Sequence, residues 1–79
     1  MANERGLTYT VILIPETDAD FKGYFNASVP ALPGCFSYGL GRSAALKNIT
    51  EAIALYLEDL ETEGLPAPIE ELEQLQVAL

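Results

Sequence analysis

Apolar and polar side chains alternate with period two through the first third of the chain, then recur every three or four residues through the middle. Leu7-Thr8-Tyr9-Thr10-Val11-Ile12-Leu13-Ile14 is rich in β-branched and aromatic residues and ends at Pro15. It predicts a strand with Leu7, Tyr9, Val11 and Leu13 on one face and Thr8, Thr10, Ile12 and Ile14 on the other. The second face turns apolar toward its end, which predicts a strand lying inside a sheet. Glu16 to Asp20 is polar and turn-like. Lys22 to Val29 predicts a second strand, with Phe25, Ala27 and Val29 on one face and Tyr24, Asn26 and Ser28 on the other. A loop this short makes the pair an antiparallel hairpin. Cys35-Phe36-Ser37-Tyr38, bounded by Gly39 and Gly41, reads as a short third strand that extends the meander.

Between the second and third strands runs Val29-Pro30-Ala31-Leu32-Pro33-Gly34-Cys35. Two prolines this close forbid helix and remove two backbone donors, so the chain must turn as an ordered loop. Pro33-Gly34 is a strong turn dipeptide, because proline presets φ and glycine accepts φ > 0. The stretch reads as a corner that determines the fold rather than as a binding loop.

From Arg42 or Ser43 to about Glu63 the period changes. Ala45, Leu46, Ile49, Ala52, Ile53, Tyr56, Leu57 and Leu60 form one apolar stripe, opposite Lys47, Asn48, Thr50, Glu51, Glu58 and Glu61. Gly64 stops this helix, and Pro66 and Pro68 prevent it restarting. A helix of about 20 residues is roughly 30 Å long, enough to cross a three-stranded sheet. The tail, Ile69 to Leu79, fits either a helix or a strand. A strand over Glu73 to Leu79 is the preferred reading, since it would cover an open sheet edge. The expected fold is α+β, a two-layer β-β-β-α-β sandwich. An antiparallel three-stranded meander is covered by one long helix, and the tail supplies the fourth edge strand.

Seventy-nine residues make one domain, 1–79. A chain this short buries roughly 60% of its unfolded surface, so its core is marginal and oligomerisation would be a natural supplement. The net charge is -8, with only four Lys and Arg side chains. That argues against nucleic acid as a direct ligand, which needs clustered cations. An acidic chain can be self-repelling and soluble, or it can complement a basic partner. One cysteine excludes a disulfide within the chain and fits a reducing compartment. The first residues lack the apolar run of a signal peptide, and no segment approaches the ~20 apolar residues that span a bilayer. A cytoplasmic protein without membrane contact is expected.

The chain has no histidine and no tryptophan. That removes the commonest general base, the Ser-His-Asp and Cys-His arrangements and the usual zinc ligand sets. Cys35 reads as a buried structural thiol, with no base or cation beside it in sequence. Asp18 and Asp20, with Glu16 nearby, have the spacing of hard-cation ligands but lack the EF-hand pattern, and read as a solvated hairpin turn. Gly39-Leu40-Gly41-Arg42-Ser43 lies where a helix can bind an anion, yet lacks the full G-x-G-x-x-G and the P-loop lysine. No metal, cofactor or catalytic residue is expected. An enzymatic alternative would need Asp18, Asp20 and Glu51 to hold Mg²⁺ for nuclease chemistry. Glu58, Asp59, Glu61 and Glu63 crowd the helix C-terminus, where the dipole disfavours negative charge. This hints at a basic partner.

The order of these residues resembles the HicB-like antitoxin family. The matching features are Tyr9-Thr10-Val11, Gly23-Tyr24-Phe25, and Val29-Pro30-Ala31-Leu32-Pro33-Gly34-Cys35. Ala45-Leu46-Lys47-Asn48-Ile49 and Glu51-Ala52-Ile53-Ala54-Leu55-Tyr56-Leu57-Glu58 add to them. The likeness covers roughly Leu7 to Pro66. It implies a degraded ribonuclease H-like fold without catalytic carboxylates, whose role is to mask a small basic HicA-type toxin that cleaves messenger RNA. Many members carry a C-terminal DNA-binding domain. This chain stops at Leu79, which leaves no room for one, so direct DNA binding is not expected. A second departure is Gly41, where the family usually caps the helix with a hydroxyl residue.

The leading expectation is therefore an antitoxin-like interaction module that covers a small basic toxin. Its contact surface would be Glu51, Glu58, Asp59, Glu61 and Glu63, with any exposed sheet edge adding backbone pairing. The alternative is a stand-alone homo-oligomer, a dimer or tetramer, with no toxin and an unknown ligand.

Overall fold

The computed structural model describes residues 6–78. Strand β1 (Ile12–Pro15) is followed by a 3₁₀ turn (Ala19–Phe21), β2 (Tyr24–Ser28), β3 (Phe36–Leu40) and helix α1 (Arg42–Thr62). The strands form one antiparallel sheet in the order β1-β2-β3. The expected α+β meander under one long helix is the fold observed.

The corner between β2 and β3 consists of two successive β-turns, each with proline at its second position. Leu32 N–H donates to Val29 O at 3.0 Å across Pro30-Ala31, and Cys35 N–H donates to Leu32 O at 2.9 Å across Pro33-Gly34. Gly34 has φ 82°, the value that the third position of a type II turn demands. Val29 N–H then donates to Cys35 O at 3.1 Å and joins the two strands below the corner. The turns drive Leu32 into the interior, where it is fully buried with Ile49. Around them pack Ala27, Val29, Cys35 and Leu57, with Leu7, Tyr9, Val11, Leu13, Ala52, Ile53, Tyr56 and Leu60 at the margin. The four residues grouped on one face of the first strand, Leu7, Tyr9, Val11 and Leu13, thus lie against the core.

Helix α1 starts where β3 ends because the two backbones almost touch. A Cβ added to Gly39 would lie 2.6 Å from Ala45 N and 2.7 Å from Ala44 C. Gly41 serves as the N-cap without a side-chain hydrogen bond, at φ 87° and ψ 159°. A serine or threonine there would be strained, which accounts for glycine in place of a capping hydroxyl. The far end closes in a Schellman motif: Gly64 N–H donates to Glu61 O at 3.0 Å, and Leu65 N–H to Leu60 O at 2.9 Å.

Three expectations are corrected. The first strand pairs only over Ile12–Pro15 rather than from Leu7. In register, Ile12 faces Ser28, so Thr10 would face Pro30, where β2 has already turned away. Strand β1 also lies at an edge of the sheet and not inside it. Glu16 N–H donates to Tyr24 O at 2.8 Å, so by antiparallel alternation Pro15 lies at an outward position, where no donor is missed. Finally, residues 65–78 contain neither helix nor strand, so no fourth strand forms among the described residues of the Glu73–Leu79 stretch. The tail is tied down by side chains instead. Tyr9 Oη donates to Pro68 O at 2.6 Å, and the Glu70 carboxylate accepts from Thr10 N–H at 2.5 Å and from Thr10 Oγ1 at 2.6 Å. Burial and the neighbouring Glu70 charge both push the Tyr9 phenol above its ordinary pKa.

Candidate partner-binding surface

Helix α1 carries the acidic residues away from the sheet. Its inward line runs through Ala45, Ile49, Ile53, Tyr56 and Leu60, and positions 51 and 58 fall on the opposite side. Glu51 and Glu58, two turns apart, therefore share the outermost line of the helix. Glu61 lies one turn beyond Glu58, Asp59 lies on the flank, and Glu63 is the C-cap residue just past the helix. All five are exposed. The last turn contains no basic residue, so the carboxylates reinforce the negative end of the helix dipole. The result is a ridge of exposed carboxylates running toward the C-terminal end of the helix. Leu55 lies on the same outer side and is 62% exposed, which gives the ridge one apolar contact point.

The other sequence candidates have structural uses. Cys35 is buried beneath the Pro-Gly turn, and burial pushes its thiol above the ordinary pKa. Gly39 is required by the close approach of strand and helix, and Gly41 by its backbone conformation, so neither glycine is there to cradle an anion. Asp18 caps the 3₁₀ turn, accepting from Asp20 N–H at 2.9 Å. The nuclease alternative needed clustered carboxylates around Asp18, Asp20 and Glu51. Among the described residues, no three His, Cys, Asp or Glu side chains stand together as a metal site. No described helix is long and apolar enough to cross a membrane.

The sheet face turned away from the helix was not singled out as a site by sequence, and it is the more unusual surface. Ile12 and Ile14 of β1 share it with Tyr24 and Asn26 of β2 and with Phe36, Tyr38 and Leu40 of β3. Phe36 is 72% exposed, and Tyr38 and Leu40 are each 62% exposed. A pocket of about 280 Å³ opens on this face, lined by Glu16, Phe21, Tyr24, Asn26 and Tyr38. One signal was legible beforehand. The apolar second face of β1 marks this uncovered layer rather than a strand inside the sheet.

Comparison with known proteins locates this architecture in a family. A UPF0150 protein of Thermoplasma acidophilum is 41% identical over 71 residues, covering 90% of this chain and 97% of that protein. A UPF0150 protein of Synechocystis is 47% identical over 64 residues, 81% of this chain and 76% of its own length. One from Helicobacter pylori is 54% identical over 48 residues, 61% of this chain and 65% of its own. No solved structure matches the chain significantly. The model of the HicB-like antitoxin of bacterial toxin–antitoxin systems matches residues 9–78, spanning the corner, the whole of α1 and the tail. The chain belongs to the HicB-like antitoxin family.

Proposed function

We propose that this chain is a non-catalytic antitoxin that binds and masks a small basic HicA-type toxin, an enzyme that cleaves messenger RNA. The observation that carries this reading is the acidic ridge of α1 on a member of an antitoxin family. An RNA-cleaving protein must present cations to phosphates, so a surface of carboxylates at comparable spacing can occupy the same ground. Glu51, Glu58 and Glu61 form the line that meets the toxin, with Asp59 and Glu63 at its margin. The net charge of -8 speeds encounter and opposes contact between the chain and RNA itself.

The test begins with the tagged chain, used to capture its partner from its own cells with washes of low and then high salt. A stoichiometric small basic protein should elute with salt, cleave RNA once freed, and be silenced when the chain is added back. Replacing Glu58, Asp59, Glu61 and Glu63 with glutamine should weaken that complex and flatten its salt dependence. Unchanged affinity of the variant would remove the ridge from the interface.

A second reading is favoured by the open sheet face. Six exposed side chains there (Ile12, Ile14, Phe21, Phe36, Tyr38 and Leu40) offer on the order of 700 Å², near the ~800 Å² per partner of a standard interface. Self-association into a dimer or tetramer through this face, without a toxin, would show as a concentration-dependent sedimentation coefficient of the chain alone.

A further inference from the structure

The pocket on the open face has a composition that neither the family nor the acidic ridge explains. Three of its five lining residues are aromatic, one is a carboxylate and one an amide. Phe21 and Tyr24 meet edge to face, with ring centroids 5.9 Å apart and planes at 82°. Tyr24 and Tyr38 are tilted by 46° at 6.2 Å. Each ring is fixed by a different element. Phe21 closes the 3₁₀ turn, where its N–H donates to Asp18 O at 3.0 Å. Tyr24 and Tyr38 are diagonal neighbours on β2 and β3, set by the pairing of Tyr24 with Leu40 and of Asn26 with Tyr38.

Glu16 is oriented as firmly as the rings. Its backbone N–H is bonded to Tyr24 O at 2.8 Å, so the residue is tied to the strand that carries the central ring. Its Oε1 accepts from Thr17 N–H at 2.9 Å and Asp18 N–H at 3.2 Å, and its Oε2 accepts from Asn26 Nδ2 at 3.0 Å. All three donors are neutral. They orient the carboxylate and favour its ionised form, yet none of them cancels its charge. The same contacts lower the Glu16 pKa, with the Asn26 amide first among the causes.

The geometry points to a subsite for one cationic side chain of a protein partner, a guanidinium or ammonium held between the rings of Phe21, Tyr24 and Tyr38 and facing the Glu16 carboxylate. Aromatic faces attract a cation within about 6 Å of their centroids, and an adjacent carboxylate adds a directed charge-assisted bond. The chain already makes one such contact internally, where Arg42 lies over Phe25 at 5.8 Å, on the helix side of the sheet. The pocket is open, with Phe21 53% exposed, so it holds a lone cationic side chain weakly and a free ion more weakly still. A side chain delivered by a larger interface does not meet that limit. Phe36 and Leu40 flank Tyr38 along β3, and such apolar neighbours exclude water around a buried anchor. The partner need not be a toxin, and the subsite lies on the opposite side of the sheet from the acidic ridge.

The test uses isotope-labelled full chain and the capped peptide Gly-Gly-Arg-Gly-Gly. Its control is the same peptide with citrulline, which keeps the shape and removes the charge. The arginine peptide should shift the ring resonances of Phe21, Tyr24 and Tyr38 and the Asn26 amide in one saturable process. The citrulline peptide should bind about tenfold more weakly or worse. Glu16→Gln and Tyr38→Leu should each abolish the saturable shift while preserving the backbone spectrum. Glu58→Gln, on the helix ridge, should leave it unchanged, which separates this subsite from the surface assigned to the toxin. Equal binding of the two peptides, shifts centred on the α1 carboxylates, or retained binding by Tyr38→Leu would overturn the proposal. So would free methylguanidinium binding more tightly than the arginine peptide.

Discussion

The two faces of this sheet are built by the same three strands and have opposite fates. On the helix side, Ala27, Val29 and Leu32 retain at most 3% of their exposure beneath Ile49 and Leu57. On the other side, Phe36, Tyr38 and Leu40 stand in solvent although they are at least as large. The one helix among the described residues covers the first face, and no described element forms a second layer over the other. The covered face holds the fold together. The open face is left for contact with something else, as is the acidic outer line of α1.

The largest test of this comparison truncates one residue from each face. Leu32→Ala should cost about 2–5 kcal/mol, because the two turns around it hold the site open and prevent collapse. Against a total stability of roughly 4–12 kcal/mol for a domain of this size, that removes much of the folded population. Phe36→Ala should change stability by less than about 0.5 kcal/mol. Urea denaturation of both variants measures the difference. Equal losses would mean that the open face is covered in solution.

A smaller effect is expected where β3 meets α1. Gly39→Ala forces a Cβ against the backbone of Ala44 and Ala45 and should cost about 1–3 kcal/mol. The helix would move off the strand while the three-stranded ladder persisted. A near-native melting temperature would show that the helix is not seated on β3 as described.

The smallest effect is a slope with pH. Burial holds the Cys35 thiol above its ordinary pKa, so the folded chain keeps this proton after the unfolded chain has lost it. Stability is therefore full below about pH 8.5, the unfolded value, declines as pH rises, and levels off above the folded value. Tyr9 acts in the same sense from about pH 10. Glu16, whose pKa is lowered, contributes stability above about pH 4.3 that is lost as pH falls. Urea midpoints for the native chain and Cys35→Ala between pH 7 and 10 should separate, with the variant flatter through the first decline. Parallel curves would mean that the thiol is as accessible folded as unfolded.

The corner, the helix and its stop were legible because each is written locally. The prolines specified an ordered corner with a turn at Pro33-Gly34, the three-and-four period specified which side of α1 faces inward, and Gly64 specified where it ends. The pairing of β1 was not local. Its residues 7–11 have strand character, but they have no ladder because Pro30 ends the opposite strand. The tail was ambiguous for a related reason. Its placement rests on Tyr9 and Thr10 reaching Pro68 and Glu70 across 59 or 60 positions of sequence. Carboxylates on α1 could be found from their crowding at a helix end. The aromatic pocket could not, because Phe21, Tyr24 and Tyr38 are adjacent only after the hairpin and the meander have set their register.

The sequence by itself determined the three strands and the helix in their order, the apolar stripe of α1 apart from the exposed Leu46, the absence of histidine, and the sign of the charge. These depend on backbone sterics and on periodicities that span a few residues. The tertiary structure alone decided that β1 would be an edge and that Gly39 would be the close contact between strand and helix. It also decided that one apolar face would go uncovered, bringing three rings and a carboxylate together there. Those outcomes depend on which segments compete for the same surface, and a single helix can cover only one side of a sheet.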